Sequence, residues 1–336
     1  MGAEGQGGGG AEEAEGAEEA KGVSVFLLPI AYCLFPKIKN WSNRTHHMKV
    51  GLIGTGLMGQ PMAGRFLEVG LEVVAYNRTP EKLAPLQEAG AEIAASPGDA
   101  IAAADCTILM LADAPAIEAV VLSPNVKAKW RDRTAIQMGT IAPRESRDIR
   151  DAIVAAGGDY LEAPVLGSIP QVKSGTLQVM VGGTPQQLER WTPVLKHLGE
   201  PMLIGEVGSA AAVKLALNQL IASLTAAFGL SLSFIQRQGA DVETFMKILR
   251  ESALYAPTFD KKLQRMVDGN YGDPNFPSKH LLKDTKLFQN EAIASQLNPQ
   301  SLDGVRLVIE RAIGELDLAD VDYSSLVEAI RKSPND

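Results

Sequence analysis

The chain has 336 residues, enough for two domains that each bury a core, and its 46% hydrophobic and 21% charged residues are those of a globular protein rather than a disordered one. A net charge of −8, from 32 basic and 40 acidic residues with no basic block, argues against a nucleic-acid partner. The cysteines Cys33 and Cys106 supply no disulfide framework, and the histidines (adjacent His46 and His47, isolated His197 and His280) form no metal-ligand set, so Cys106 in its apolar run is expected to be a buried reduced thiol.

Residues 1–21 are almost wholly Gly, Ala and Glu, with six acids and one lysine, and cannot bury enough apolar area to offset their ordering entropy. Val23 to Phe35 is apolar but too short, with Pro29 inside it, to span a bilayer as a helix, so no membrane partner is expected. The acidic leader fits neither a secretory signal nor a transit peptide. Residues 1–47 therefore read as a disordered or targeting extension, and the expected compartment is the cytoplasm, with plastid and mitochondrion left open. Asn43-Arg44-Thr45 and Asn77-Arg78-Thr79 match a glycosylation sequon but read as ordinary turns without a signal peptide.

Lys49 to Ile53 is an apolar run of strand length that leads into Gly54-Thr55-Gly56-Leu57-Met58-Gly59, and Gln60 to Val69 follows with helical spacing. In such a strand, turn and helix the first glycine makes the turn, the second admits a pyrophosphate, and the third lets helix and strand pack. Gly54 through Gly59 are therefore expected to bind a dinucleotide on the helix's free N–H groups. A second strand, Leu71 to Tyr76, runs to Asn77-Arg78-Thr79, where an NAD site would normally offer an acid to the ribose 2′-hydroxyl. Arg78 instead offers a cation to a 2′-phosphate, with Asn77 and Thr79 as added hydrogen-bond partners. NADP(H) is the expected cofactor and NAD(H) the weaker one.

Alternation continues with helix Pro80 to Ala89, helix Pro97 to Ala104 capped by Ser96, strand Cys106 to Leu111, helix Pro115 to Leu122, strand Thr134 to Met138, helix Pro143 to Ala156, and strands Asp159 to Val165 and Leu177 to Val181. Such alternation predicts an α/β fold, a Rossmann-type doubly wound parallel sheet with its ligand at the strands' carboxyl ends. Leu111, the loop 112–114 and Thr140 should border the cofactor there. After Gly208 the composition changes. Ser209 to Gln238 runs without proline on a helical period and would be ~45 Å long at 1.5 Å per residue, enough to leave the sheet and enter a second domain. Only helical segments follow: Asp241 to Glu251, Thr258 to Val267, Ser278 to Ser295, Ser301 to Leu316 and Tyr323 to Arg331. The expected division is an NADP-binding domain over 48–208 and an all-α substrate and oligomerisation domain over 209–336.

Lys214 is the only ionisable residue between Ala210 and Gln236, and Asn218 lies four residues on, over the same helix face. A lone lysine among alanines and leucines is costly to bury unless it is used, or else it snorkels at a domain boundary. Reduction of a carbonyl requires a proton for the oxygen, and a lysine with a lowered pKa can donate it. Asn218 would hold Lys214 or the substrate oxygen.

In order and spacing, Gly54 to Gly59, Asn77-Arg78-Thr79, Met138-Gly139-Thr140, Glu162-Ala163-Pro164-Val165, Val207-Gly208-Ser209 with Lys214 and Asn218, and Lys283-Asp284 resemble the β-hydroxyacid dehydrogenase family from about Met48 to the C-terminus. That group includes 3-hydroxyisobutyrate dehydrogenases and glyoxylate/succinic semialdehyde reductases, with 6-phosphogluconate dehydrogenases as relatives. The resemblance implies that Lys214 is the catalytic acid/base, Asn218 a substrate contact, Thr140 a neighbour of the nicotinamide and Lys283 a cofactor contact. Phe276 and Asp284 would belong to a substrate wall, and the protein would be a homodimer or homotetramer acting on a small aldehyde or hydroxy acid. The chain departs from the family at Leu166-Gly167-Ser168, where the family usually has Ser-Gly-Gly. Backbone N–H groups of Gly167 and Ser168 could still hold a carboxylate, but Leu166 makes that corner larger and more apolar, which suits a bulkier substrate. Two alternatives stay open: an imine reductase-like enzyme, disfavoured by Lys214, and a non-catalytic NADP-binding scaffold, disfavoured by Lys214 with Asn218.

Overall fold

A computed structural model describes residue 2 and residues 48–332, so the readings of the 1–47 leader, of Cys33 and of His46 and His47 lie outside the described residues. Strand β1 (Lys49–Ile53) enters α1 (Gly59–Glu68), and β2 (Glu72–Tyr76) is followed by a 3-10 turn, Pro80–Leu83, and α2 (Ala84–Glu88). Then come β3 (Glu92–Ile93), α3 (Pro97–Ala103), β4 (Cys106–Leu109), α4 (Ala114–Val121), α5 (Pro124–Lys127), β5 (Thr134–Gln137) and α6 (Pro143–Ala155). Ser96 caps α3 by accepting from the Asp99 N–H, as expected, and Asp113 caps α4 in the same way through the Ala116 N–H.

Strands β3, β2, β1, β4, β5 and then β6 (Asp159–Glu162) lie side by side and parallel. The chain builds outward from β1 in one direction and then returns to β4 on its other side. The carboxyl ends of β1 and β4 therefore flank the switch point where an open α/β sheet leaves a crevice. Successive residues face opposite sides, so Leu52, Ile108, Ile136 and Leu161 join Met62 and Phe66 in one core, while Ile53, Leu109, Ala135 and Tyr160 join Ile117, Trp130 and Ile149 in the other. Cys106 is a free, buried thiol whose pKa burial pushes up, so it is chemically quiet.

Past β6 the sheet departs from the all-parallel expectation. Pro164 has no N–H to give, and the expected strand Asp159 to Val165 is divided into β6 and β7 (Val165–Leu166). A short helix, α7 (Ile169–Ser174), then returns the chain to β8 (Leu177–Gly182), which runs antiparallel to both β7 and β6. Helix α8 (Pro185–Leu195) and strand β9 (Gly199–Gly205), parallel to β8, complete the sheet. Neither was anticipated. The Thr184 cap with Gln187 three residues later was a readable signal for α8, whereas β9, with Met202 and Leu203 exposed, has no amphipathic alternation to read.

Helix α9 (Ser209–Arg237) leaves the sheet and organises the helical half. One set of its residues, Ala222 and Ala226, packs with Leu281, Ile309, Ala312 and Leu326; another, Phe228 and Leu232, packs with Met246, Phe259 and Met266. Those partners come from α10 (Val242–Arg250), α11 (Pro257–Asp268), α12 (Ser278–Ala294), α13 (Asp303–Gly314) and α14 (Leu326–Arg331). The apolar, proline-free stretch is thus shared between two helical cores, which explains why it reads apolar nearly all round.

Candidate active site

The glycine turn has the three separate fittings that its spacing implied. Gly54 has φ +100°, and a Cβ there would stand 2.4 Å from the Met110 carbonyl oxygen; a Cβ on Gly59 would stand 1.9 Å from the Gly54 carbonyl oxygen. Around Gly56, in contrast, a Cβ would meet nothing within 4 Å. Among the described residues no side chain caps the first turn of α1 and the buried Thr55 Oγ1 has no partner, while Leu57 is exposed. Free amides at the start of a helix, an open backbone approach and an unpartnered hydroxyl fit the pyrophosphate of a dinucleotide.

Beyond β2, the Asn77 side chain ties the loop after β1 to the loop after β2. Its Oδ1 accepts from the Thr55 N–H at 3.4 Å and its Nδ2 donates to the Thr79 carbonyl at 3.0 Å. Arg78 next to it is exposed, with no hydrogen bond or ion pair among the described residues. Across the crevice, Leu111 packs its side chain under Gly54 and its carbonyl oxygen would lie 2.6 Å from a Cβ on Gly139. The expected strand Cys106 to Leu111 ends at Leu109, which leaves Leu111 in the loop that approaches the crevice.

Lys214 stands in the first turns of α9, and its ammonium has no hydrogen bond or ion pair among the described residues. Part of the side chain keeps some exposed surface, but the protein packed around the amine is dense. Burial lowers its pKa to about 8, with Lys283 adding to the lowering and the Asp284 carboxylate pulling against it. Asp284 is 1% exposed. Its Oδ2 accepts from Asn218 Nδ2 at 2.6 Å, and Lys283 Nζ lies 2.9 Å from its Oδ1. Lys283 also reaches out of α12 to donate to the carbonyls of Ala112 at 2.8 Å and Thr140 at 2.6 Å, joining the helical half to the loops after β4 and β5.

The placements of Asn218, Ser168, Gly167 and Phe276 refine the sequence reading. Asn218 turns its NH2 to Asp284 rather than to Lys214, and its buried Oδ1 has no partner among the described residues. Ser168 directs both its N–H, at 2.9 Å, and its hydroxyl, at 2.8 Å, to Gln171 Oε1, so the amide expected to face a substrate carboxylate is engaged at the start of α7. Gly167, exposed with φ +135° at the end of β7, follows the partly buried Leu166. Phe276 lies in a loop, with its ring edge-on to Tyr323 (centroids 5.8 Å apart) and stacked on His280 (6.4 Å), one helical turn before Asp284. His280 drew only a metal question from the sequence; here burial lowers its pKa beside Lys283 and Lys279. Glu162 and Gln137 draw no individual role from the sequence, where Glu162 falls inside the expected strand Asp159 to Val165; an acid just before Ala-Pro is its one local signal.

Taken together, a glycine turn with open amides stands at one end of the candidate site, and at the other stands an amine with a lowered pKa and no partner among the described residues. Residues 49–208 match the NAD binding domain of 6-phosphogluconate dehydrogenase, and residues 208–330 match the NAD-binding domain of NADP-dependent 3-hydroxyisobutyrate dehydrogenase. Glyoxylate/succinic semialdehyde reductase 1 of Arabidopsis thaliana is 31% identical over 296 residues, spanning 85% of this chain and 99% of the relative. Human cytokine-like nuclear factor N-PAC is 28% identical over 285 residues, 84% of this chain but 51% of that protein. The fold is shared with Mycobacterium tuberculosis 3-hydroxyisobutyrate dehydrogenase, solved with L-serine, at a TM-score of 0.77 and 21% identity over 85% of this chain and 100% of the other. The chain belongs to the β-hydroxyacid dehydrogenase family, whose members are nicotinamide-dinucleotide-dependent oxidoreductases acting on CH–OH groups.

Proposed function

We propose that this protein is an NADPH-dependent reductase of small aldehyde or keto acids, reversible as a β-hydroxyacid dehydrogenase. The observation that carries this reading is the Lys214 amine, without a partner among the described residues and lowered by burial to a pKa of about 8 beside Asp284 and Lys283. A bound reduced nicotinamide supplies the hydride. Lys214 gives the proton to the carbonyl oxygen as the hydride arrives, and takes it back in the oxidative direction. Asn218 and Asp284 hold the floor of the site, and Gly167 with Ser168 offers amides to the substrate acid once Gln171 releases Ser168. Arg78 supports the choice of the 2′-phosphorylated cofactor, because a free guanidinium suits a phosphate and has no use for a ribose hydroxyl that needs an acceptor.

We also assign 48–208 to cofactor binding and 209–336 to substrate binding and assembly into a homodimer or homotetramer. Leu230 and Phe234, exposed and four residues apart on α9, support contact between copies. The test is a screen of glyoxylate, succinic semialdehyde and longer semialdehydes with NADPH and NADH, using K214M as the control. Turnover of no carbonyl compound, or an unimpaired K214M, defeats the reading.

A further inference from the structure

Gln137 and Glu162 are the last residues of β5 and β6 and lie opposite each other in the parallel ladder. Each is 1% exposed, and each uses its side chain to hold a different part of the site. Gln137 turns back on its own chain, donating through Nε2 to the Gly139 carbonyl at 2.9 Å and accepting from the Gly139 N–H at 3.2 Å, which shapes the loop that ends in Thr140. Glu162 Oε1 accepts from three amides at the start of α9: Gly208 at 2.8 Å, Ala210 at 2.9 Å and Ala211 at 3.1 Å. Its other oxygen accepts from the buried Ser146 hydroxyl, which sits 2.8 Å from the Tyr160 hydroxyl.

Helix α9 has no cap of its own. Its N-cap is Gly208, with φ +102°, so a residue from the sheet satisfies the amides that its own sequence leaves free. Space is kept for that carboxylate: a Cβ on Gly182 would stand 2.3 Å from Glu162 Oε1. Ala210 and Lys214 are four residues apart on the same helix face, about 6 Å along the axis at 1.5 Å per residue, so movement of the first turn is carried directly to the amine.

We propose that Glu162, with Gln137 beside it, is a positioning pair that sets where Lys214 stands relative to the Thr140 loop. The two strand ends are fixed to each other by the ladder, so the loop and the helix are referred to one rigid edge. The route is mechanical: the charge environment of Lys214 is set by burial, Asp284 and Lys283. The assignment rests on Lys214 as the proton donor.

The test compares E162A, E162Q, K214M and the double variant E162A/K214M by single-turnover hydride transfer, kcat and KM for succinic semialdehyde, and NADPH affinity. Misplacing the amine in E162A is expected to lower kcat about 100-fold while KM and NADPH affinity hold, and E162Q, which keeps an acceptor oxygen, loses about tenfold less. In the K214M background E162A should cost nothing further. Multiplying losses in the double variant, equal losses in E162A and E162Q, or loss of NADPH binding in both would overturn the positioning role. An unimpaired K214M instead defeats the proton-donor reading itself, independently of what E162A does.

Discussion

The two ends of this site are built in opposite ways. At the proposed cofactor end, twelve consecutive residues from Met48 to Gly59 supply strand, turn and helix start, and backbone amides are the groups offered to a ligand. At the proposed proton-donor end, Lys214 and Asn218 on α9 are brought to Lys283 and Asp284 on α12 by packing of the two helices, and Lys283 ties them to the loops after β4 and β5. Amides carry no titratable charge, so their share of the first end does not vary with pH. The second depends on an amine whose charge is set by its neighbours and by burial, and it is correspondingly open to tuning.

The sharpest way to separate the two ends is to remove the amine. K214M should lower kcat by about 10²- to 10⁴-fold, the usual contribution of a positioned general acid, with NADPH affinity unchanged by fluorescence titration. A parallel fall in NADPH affinity would mean that the two ends are not independent. Reversing the charge at the cofactor end is the next largest change. R78D should weaken NADPH by about 10- to 100-fold through loss of a charge-assisted contact, with far less effect on NADH; equal losses for both cofactors remove the 2′-phosphate assignment.

The pH dependence of kcat sharpens the comparison further. A donor must be protonated, so with a pKa of about 8 for Lys214 the reductive rate should fall as pH rises through that value, while the oxidative rate rises. D284N removes a charge that favours the ammonium, and its reductive limb should move to lower pH. K283M removes a like charge, and its limb should move to higher pH. Stopped-flow rates across pH 6–10, about two units on either side of that value, check all three, and a profile unmoved by either substitution would detach Asp284 and Lys283 from the amine. The smallest expected effect lies at the altered loop. L166S should raise kcat/KM for glyoxylate by about 2- to 10-fold, the worth of one hydrogen bond, measured by steady-state turnover.

Much of this protein was legible along the chain. The glycine spacing, the alternation of strands and helices, the change of composition at Gly208 and the isolated Lys214 are all local patterns, and local patterns survive as written because they follow from backbone sterics and side-chain periodicity. Boundaries moved by a residue or two, as at Leu109 and Gln238, since helix and strand ends are settled by hydrogen bonds that frays and loops share. The antiparallel turn of β8 was not legible, because strand direction depends on which strand it pairs with rather than on its own residues.

By itself, then, the sequence determined the fold class and the nicotinamide-dinucleotide class of cofactor, and it singled out Lys214 as the candidate proton carrier. Only the tertiary structure decided what surrounds that residue: Asn218 bonded to Asp284, Lys283 clasping the loops after β4 and β5, and Glu162 closing the start of α9 from 46 residues away. The reason is physical. Propensity and periodicity act over a few neighbouring residues, whereas burial and Coulomb interaction depend on which groups are brought within a few ångströms, whatever their separation along the chain.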